Sequence, residues 1–168
     1  MMNTNMYKKI TLKENKTLKL KNVLSRELTQ SEFMNENKIM YMMESYIKSK
    51  GNSIVGPMIN YSSIISGENG QPKLVSKLMV QLKETIENLE EPYEFSSQIR
   101  VPNCLFARFI EKEQNLQFAY AKLNLHAFEN NIKLLGDNYT IFVERNKNNI
   151  VADIFMQMQN EVGPIENI

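Results

Sequence analysis

The chain has 168 residues, 42% hydrophobic and 23% charged, which is enough for one packed domain and short for two. Twenty Lys and Arg against 19 Asp and Glu leave a formal charge of +1, so no overall field attracts nucleic acid or an anionic membrane. One Cys and one His cannot form an internal disulfide or a zinc site of sulfur and nitrogen ligands. Without a run of about 18 apolar residues or a signal peptide, we expect a cytoplasmic protein.

The first half predicts a strand, an amphipathic helix and two further strands. An alternating apolar run begins at Val23, Ser31 is a plausible helix N-cap, and Gly51 stops the helix. The apolar side chains of that helix share one face: Ile39, Met43, Tyr46 and Ile47. Alternation resumes around Tyr61, and Asn69 followed by glycine predicts a hairpin turn.

The segment from Leu74 to Leu89 fits either a helix or a strand, because apolar residues stand at positions 74, 78, 82, 86 and 89. We predict a strand from Leu74 to Leu82, since the matching stretch from Ile150 to Met158 in the second half alternates as a strand does. The stretch from Thr85 to Pro92 is predicted to be a short helical or irregular connector.

The second half repeats the pattern. A strand contains Cys104, which is interpreted as a small buried hydrophobic residue, and a helix follows that ends at Asn130 and Asn131. The apolar stripe of this helix is predicted to contain Leu116, Ala119, Leu123, Ala127, Phe128 and Ile132. Two strands then flank a turn at 146–149.

The two halves therefore read as an internal repeat, in which Arg26 matches Arg108 and Gly56 matches Gly136. The predicted fold class is α+β: a duplicated strand-helix-strand-strand unit that forms a curved antiparallel sheet with two helices on one face. We predict one domain over 1–168, with repeats at about 16–82 and 98–158, a connector at about 83–97 and a flexible C-terminal tail at about 159–168.

The second half also carries a family resemblance. Its strand CLFARF, the Gly136 turn and the stretch VADIFMQM resemble the end of the GyrI-like superfamily, the effector-binding domain of multidrug-responsive transcription activators. That family closes with a strand of the form acidic-Leu-x-Ile-Pro, and Asp153 and Gln157 occupy the acidic and proline positions. The resemblance implies that Asp153 is a carboxylate that meets cationic ligands. The family's Gly-aromatic pair is replaced here by the residues at 111–114.

A narrower resemblance rests on two phrases, VGPMIN from Val55 and RVPNCLFARF from Arg100. These resemble an uncharacterised family of Gram-positive bacteria whose members are encoded beside type VII secretion toxins and their small helical partners. That resemblance implies a cytosolic accessory protein or chaperone.

A groove between the halves is the predicted place for a ligand or partner. Its candidate residues are Arg26, Tyr46, Tyr61, Arg108, Tyr120, Tyr139, Glu144 and Asp153. The arginines could bind a carboxylate there or pair with a neighbour such as Glu144, the tyrosines could belong to the core, and Asp153 could be a solvent-facing or ion-paired residue. No catalytic residue, metal ligand or cofactor is predicted.

The predicted function is a non-enzymatic binding protein. His126 has no paired nucleophile, whereas the 11 methionines suit an adaptable protein-binding face. The predicted partner is another protein, either a secreted toxin or its small helical partner, with a homodimer as a weaker form of the same expectation. The alternative is a small-molecule effector-binding domain for a lipophilic or cationic ligand. No nucleic acid or membrane partner is predicted.

Overall fold

The structure, a computed structural model, describes residues 10–160 as an α+β domain. In chain order its elements are β1 Ile10–Glu27, α1 Glu36–Ser49, β2 Ile54–Ser66, β3 Pro72–Leu82, β4 Tyr93–Glu111, α2 Gln117–Glu129, β5 Leu134–Arg145 and β6 Ile150–Met158. A strand, a helix and two strands thus follow one another twice, and the predicted fold class is confirmed. The predicted flexible tail lies outside the described residues from position 161 onward.

Each half closes with the same contact between its first and last strands. Asn22 Nδ2 donates to the carbonyl of Leu82 at 3.4 Å, and Asn103 Nδ2 donates to the carbonyl of Met158 at 3.3 Å. Both asparagines adopt a left-handed backbone, with φ of +51° and +57°, a conformation that asparagine tolerates better than most residues. The repeat therefore extends from the order of the elements to individual hydrogen bonds.

The ambiguous segment is strand β3, as predicted. Its side chains are buried on both sides of the sheet, because Leu78 and Val80 pack under α1 while Met79 lies on the opposite side. A strand buried on both faces loses its polar alternation, which explains the resemblance to a helix. The chain then runs irregularly to β4, which begins at Tyr93, within the stretch predicted to be connector.

The predicted curved sheet closes on itself: its six strands form a barrel in the order β1-β3-β2-β5-β6-β4. The two halves meet along two seams of unequal length. Strand β1 pairs with β4 from Ile10 to Arg26, whereas β2 pairs with β5 only from Ile59 to Ser63. The region where a groove between the halves was predicted is therefore the barrel interior, in which buried side chains such as Leu20, Ile59 and Met79 pack together. The short β2–β5 seam lies along one side of it.

Both helices pack on the outer surface of the barrel. Ile39, Met43 and Ile47 of α1 cover the first half, and Ala119, Leu123 and Ala127 of α2 cover the second. Each fully buried Leu or Ile contributes on the order of 1.5–3 kcal/mol, so these faces anchor the helices. No helix among residues 10–160 is long and apolar enough to cross a membrane.

Two local predictions about the helices are wrong. Ser31 is not the cap of α1: it lies in a separate 3₁₀ turn that is closed by a capping box between Thr29 and Glu32, and α1 begins at Glu36. Phe128 does not join the apolar stripe of α2. It is 82% exposed, because it follows the buried Ala127 by one position and so points about 100° away around the helix.

Candidate ligand-binding site

The inner surface of the barrel carries a cluster of aromatic residues where β2 meets β5. Tyr61 and Tyr139 lie directly opposite each other in this seam, with ring centroids 4.8 Å apart and ring planes tilted by 56°. Burial, reinforced by the nearby Tyr61 and Asp137, raises the pKa of Tyr139 to about 12. Tyr139 therefore stays neutral at physiological pH and can donate a hydrogen bond.

A second aromatic pair lies across the interior, where β4 meets β6. Phe106 and Phe155 are neighbours in register, with ring centroids 5.1 Å apart and planes tilted by 59°. Cys104, on the same face of β4, is fully buried and donates to the carbonyl of Val101 at 3.3 Å. Burial raises the pKa of the Cys104 thiol to about 11, so it behaves as the predicted small hydrophobic residue rather than as a nucleophile.

One carboxylate, Asp137, faces this aromatic interior. It follows Gly136, whose φ of +96° belongs to an irregularity in β5, and it shares the inner face with Tyr139. Its Oδ1 atom is buried and has no hydrogen-bond partner, and burial raises the pKa of the carboxyl group. A buried carboxylate oxygen without a partner is costly, and a proton or a bound cation would relieve that cost.

Asp153, the residue that the family resemblance places on the ligand, is already paired. Arg108 donates to it through Nε and Nη2, both at 2.8 Å, in a bidentate ion pair. The Asp153 side chain is 12% exposed and that of Arg108 is 47% exposed, so the pair lies where the interior meets solvent. The ion-pair alternative for Asp153 is confirmed, and the partner of Arg108 is Asp153 rather than Glu144.

Arg26 and Tyr46 lie on the outer surface, in a network around α1. Arg26 Nη2 donates to Glu32 Oε2 at 2.7 Å, and its guanidinium carbon is 5.9 Å from the centre of the Tyr93 ring. Tyr93 in turn stacks on Tyr46, with centroids 4.1 Å apart and an angle of 8° between planes. The network holds the start of β4 against α1. Arg26 and Arg108 are therefore not equivalent, since they point to opposite sides of the sheet.

The other two candidates also lie outside the barrel. Tyr120 of α2 makes a short hydrogen bond with Thr140 Oγ1 beneath that helix. Glu144 is exposed near the end of β5. The structure brings Tyr61 and Tyr139 together on the inner face and puts Arg108 and Asp153 at its margin, but it does not bring all eight candidates into one groove.

The sequence interpretation missed Asp137 as a candidate, although a signal was present. Asp137 stands directly after Gly136 and two residues before Tyr139. In a strand, residues two apart lie on the same face, so this carboxylate had to share the face of Tyr139. Phe106 follows from the same alternation, since it lies two residues after Cys104, whereas Phe155 is placed inside by the pairing of β4 with β6.

Away from the interior, the described surface has a polar cleft of about 810 Å³ between the C-terminal end of α2 and the end of β6. Its lining is rich in side-chain amides: Asn15, Asn103, Asn130, Asn131, Gln159 and Asn160. His126 lies nearby, with Nε2 2.7 Å from Glu14 Oε1. Within residues 10–160, no three His, Cys, Asp or Glu side chains come together as a possible metal site.

Solved structures share this fold at low sequence identity. EcmrR in its DNA complex matches with 13% identity and a TM-score of 0.62, over 89% of this chain and 57% of EcmrR. A hydrolase from Listeria innocua matches with 7% identity and a TM-score of 0.52, over 90% of this chain and 92% of the hydrolase. The protein SAV2435, solved with bound tetraphenylphosphonium, matches with 9% identity and a TM-score of 0.50, over 90% of this chain and 94% of SAV2435.

No family model and no curated protein matches the chain. The structural likenesses establish the fold alone, and this fold is consistent with the GyrI-like resemblance of the sequence. This chain spans little more than half of the EcmrR chain.

Proposed function

We propose that the protein is a ligand-binding domain that takes up a lipophilic organic cation on the inner face of the barrel. The observation that carries the proposal is Asp137, whose buried Oδ1 has no hydrogen-bond partner and lies in an interior lined by aromatic rings. Aromatic faces attract cations, and a carboxylate in a site shielded from water adds a charge interaction that is stronger than in bulk water. SAV2435, which has the same fold, was solved with a ligand of this chemical class.

The role of each residue follows from its place. Asp137 supplies the negative charge, Tyr61 and Tyr139 form one aromatic wall, and Phe106 and Phe155 form the other. Asp153 is a weaker candidate for the charge, because Arg108 already neutralises it with two hydrogen bonds. Of the two seams that join the halves, the β2–β5 seam is the shorter, so entry there breaks fewer hydrogen bonds than entry through the β1–β4 seam.

Titration calorimetry with tetraphenylphosphonium tests the proposal on the full chain. We expect the parent to bind and Asp137→Asn to bind roughly ten- to a hundredfold more weakly, which corresponds to about 1.4–3 kcal/mol for one lost charge interaction in a shielded site. The matched control is Glu144→Gln, which removes an exposed carboxylate from the same strand and should leave the affinity within twofold. A parent that does not bind would refute the proposal, and loss of binding in Asp153→Asn but not in Asp137→Asn would move the site to Asp153.

The proposal is for binding without enzymatic activity. A hydrolase with this fold gives a direct check, because hydrolysis of a chromogenic ester by the parent, lost on substitution of an inner-face residue, would contradict it. The prediction of a protein partner, whether a secretion toxin, its small helical partner or a second copy of this chain, stays a prediction. None of the contacts described above favours it.

A further inference from the structure

One cation of the chain already touches the aromatic interior. Lys16 lies opposite Cys104 on β1, between two irregularities in the pairing of β1 with β4, and its side chain is on the inner side of the sheet. The Nζ atom is 5.7 Å from the centre of the Phe106 ring, within the range of a cation–π interaction. Phe106 itself is only 8% exposed, so the lysine covers the margin of a ring that otherwise belongs to the core.

Lys16 is exposed and has no carboxylate partner among residues 10–160. Its long side chain can leave the ring at little cost, because exposed cation–π contacts are weak and the ammonium group is readily hydrated. The contact is therefore reversible in a way that the bidentate pair between Arg108 and Asp153 is not.

We propose that Lys16 is an internal competitor that sets the charge preference of the site: its ammonium group occupies the margin of the aromatic interior, and an incoming organic cation displaces it. The inference rests on the proposed function and adds a specificity-determining residue to it. A cation must overcome repulsion from Lys16 as well as displace it. An anion of the same shape is attracted by Lys16 and repelled by Asp137.

Two probes of nearly equal shape and opposite charge separate these effects: tetraphenylphosphonium and tetraphenylborate. Their affinities are measured by calorimetry for the parent, Lys16→Met and Lys16→Arg. Lys19→Met is the matched control, because Lys19 is an exposed lysine on the same strand but on the opposite face of the sheet. Methionine keeps the length of the lysine side chain and removes its charge, whereas arginine keeps the charge.

We expect Lys16→Met to bind the phosphonium about five- to tenfold more tightly and the borate more weakly, so that the ratio of the two affinities rises. Lys16→Arg and Lys19→Met should stay within twofold of the parent. Proton resonances of the Lys16 Cε group should also lose their ring-current shift as the phosphonium is added, which a purely structural role would not produce.

The inference is overturned if the parent binds the phosphonium and Lys16→Met leaves its affinity unchanged. It is also overturned if Lys16→Met shifts both affinities in the same direction, or if Lys16→Arg behaves like Lys16→Met. In these cases the proposed function stands. If neither the parent nor any variant binds either ion, the proposed function fails, and this inference falls with it.

Discussion

The two halves of the barrel have the same backbone plan but present different chemistry to the interior. Where the first half has Ser25 on β1 and Met79 on β3, the second half has Phe106 on β4 and Phe155 on β6. The bulge glycine of β5 is followed by Asp137, and the matching glycine of β2 is followed by a proline. The second half thus supplies the carboxylate and one complete aromatic pair.

The residues that hold each half together differ much less. Asn22 and Asn103 make the same hydrogen bond at the same place, and Gly56 and Gly136 both have positive φ. Positions that fix the backbone therefore match between the halves, while positions that face the interior do not. This contrast indicates that the interior is where a function specific to this chain is to be sought.

The margin of the barrel shows the same contrast in its charges. The pair of Arg108 and Asp153 in the second half corresponds to Glu27 and Lys77 in the first, where the signs are reversed. Lys77 turns instead to Glu94, with Nζ and Oε2 3.5 Å apart. The two ends of the interior therefore differ in how firmly their charges are held.

A disulfide across the short β2–β5 seam should have the largest effect, and that effect is on how fast the ligand associates. Ser62 and Asn138 lie opposite each other in the β2–β5 pairing, on the outer face. We expect the disulfide of a Ser62→Cys/Asn138→Cys variant, made in a Cys104→Ala background, to slow the association of tetraphenylphosphonium by about a hundredfold or more, because the proposed entry route opens this seam. The reduced form of the same variant is the control, and equal association rates in both forms would exclude entry through the seam.

Arg26 and Arg108, the two arginines predicted to line the groove, should differ in their contribution to stability. The side chain of Arg26 is 10% exposed and Glu32 holds it, whereas the side chain of Arg108 is 47% exposed. Arg26→Ala should lower the free energy of unfolding by roughly 2–4 kcal/mol, because it empties a buried site and removes the ion pair with Glu32, which then keeps only its contact with Thr29. Arg108→Ala should cost about 1 kcal/mol, since solvent screens that pair. Urea denaturation measures both, and equal losses would contradict the assignment of the two arginines to different environments.

The matched asparagines should respond alike. Asn22→Ala and Asn103→Ala each place an ordinary residue at positive φ and remove one hydrogen bond, so each should cost about 2 kcal/mol. The difference between the two losses, measured by urea denaturation, tests the repeat at a single position. A difference above about 1 kcal/mol between the two losses would show that the hydrogen bonds of Asn22 and Asn103 are not equivalent.

The smallest expected effect is a pH dependence of the stability that comes from Asp137 in the second half. Burial raises the folded-state pKa of Asp137, so the folded protein holds that proton more tightly than the unfolded chain does. The associated stability is present below the ordinary Asp value of about 4 and is lost as pH rises through the raised pKa. Thermal denaturation between pH 4 and 8 should therefore show Asp137→Asn gaining stability relative to the parent as pH rises, whereas Glu144→Gln should show no such trend.

The strands and helices could be predicted from the sequence, because local periodicity and the match between the two halves indicate where each one lies. Leu74–Leu82 is the clearest case, since its own pattern was ambiguous and only its match to Ile150–Met158 indicated a strand. Closure of the barrel could not be predicted in this way. It depends on pairing between Tyr61 and Tyr139, which are far apart in the chain, and no local pattern specifies that register.

The site was harder to predict because irregularities in the strands change which face a side chain occupies. Positive φ at Asn22 and Gly136 marks places where regular alternation is interrupted. Arg26 lies four residues after Asn22, whereas Arg108 lies five residues after the equivalent Asn103, so aligning the two arginines by residue type shifted the register by one and put Arg26 on the wrong side of the sheet. Asp137 follows the second irregularity and points inward, although its neighbours in sequence read as a turn.

A closed ring of strands has a further consequence for how this protein behaves in concentrated solution. Closure leaves β2 and β5 without a free edge along their shared seam, and unpaired edges are what strands use to join other chains. If the seam opens to admit a ligand, two such edges are uncovered for as long as it stays open. Since a ligand held inside favours the closed form, we expect self-association to slow as tetraphenylphosphonium is added.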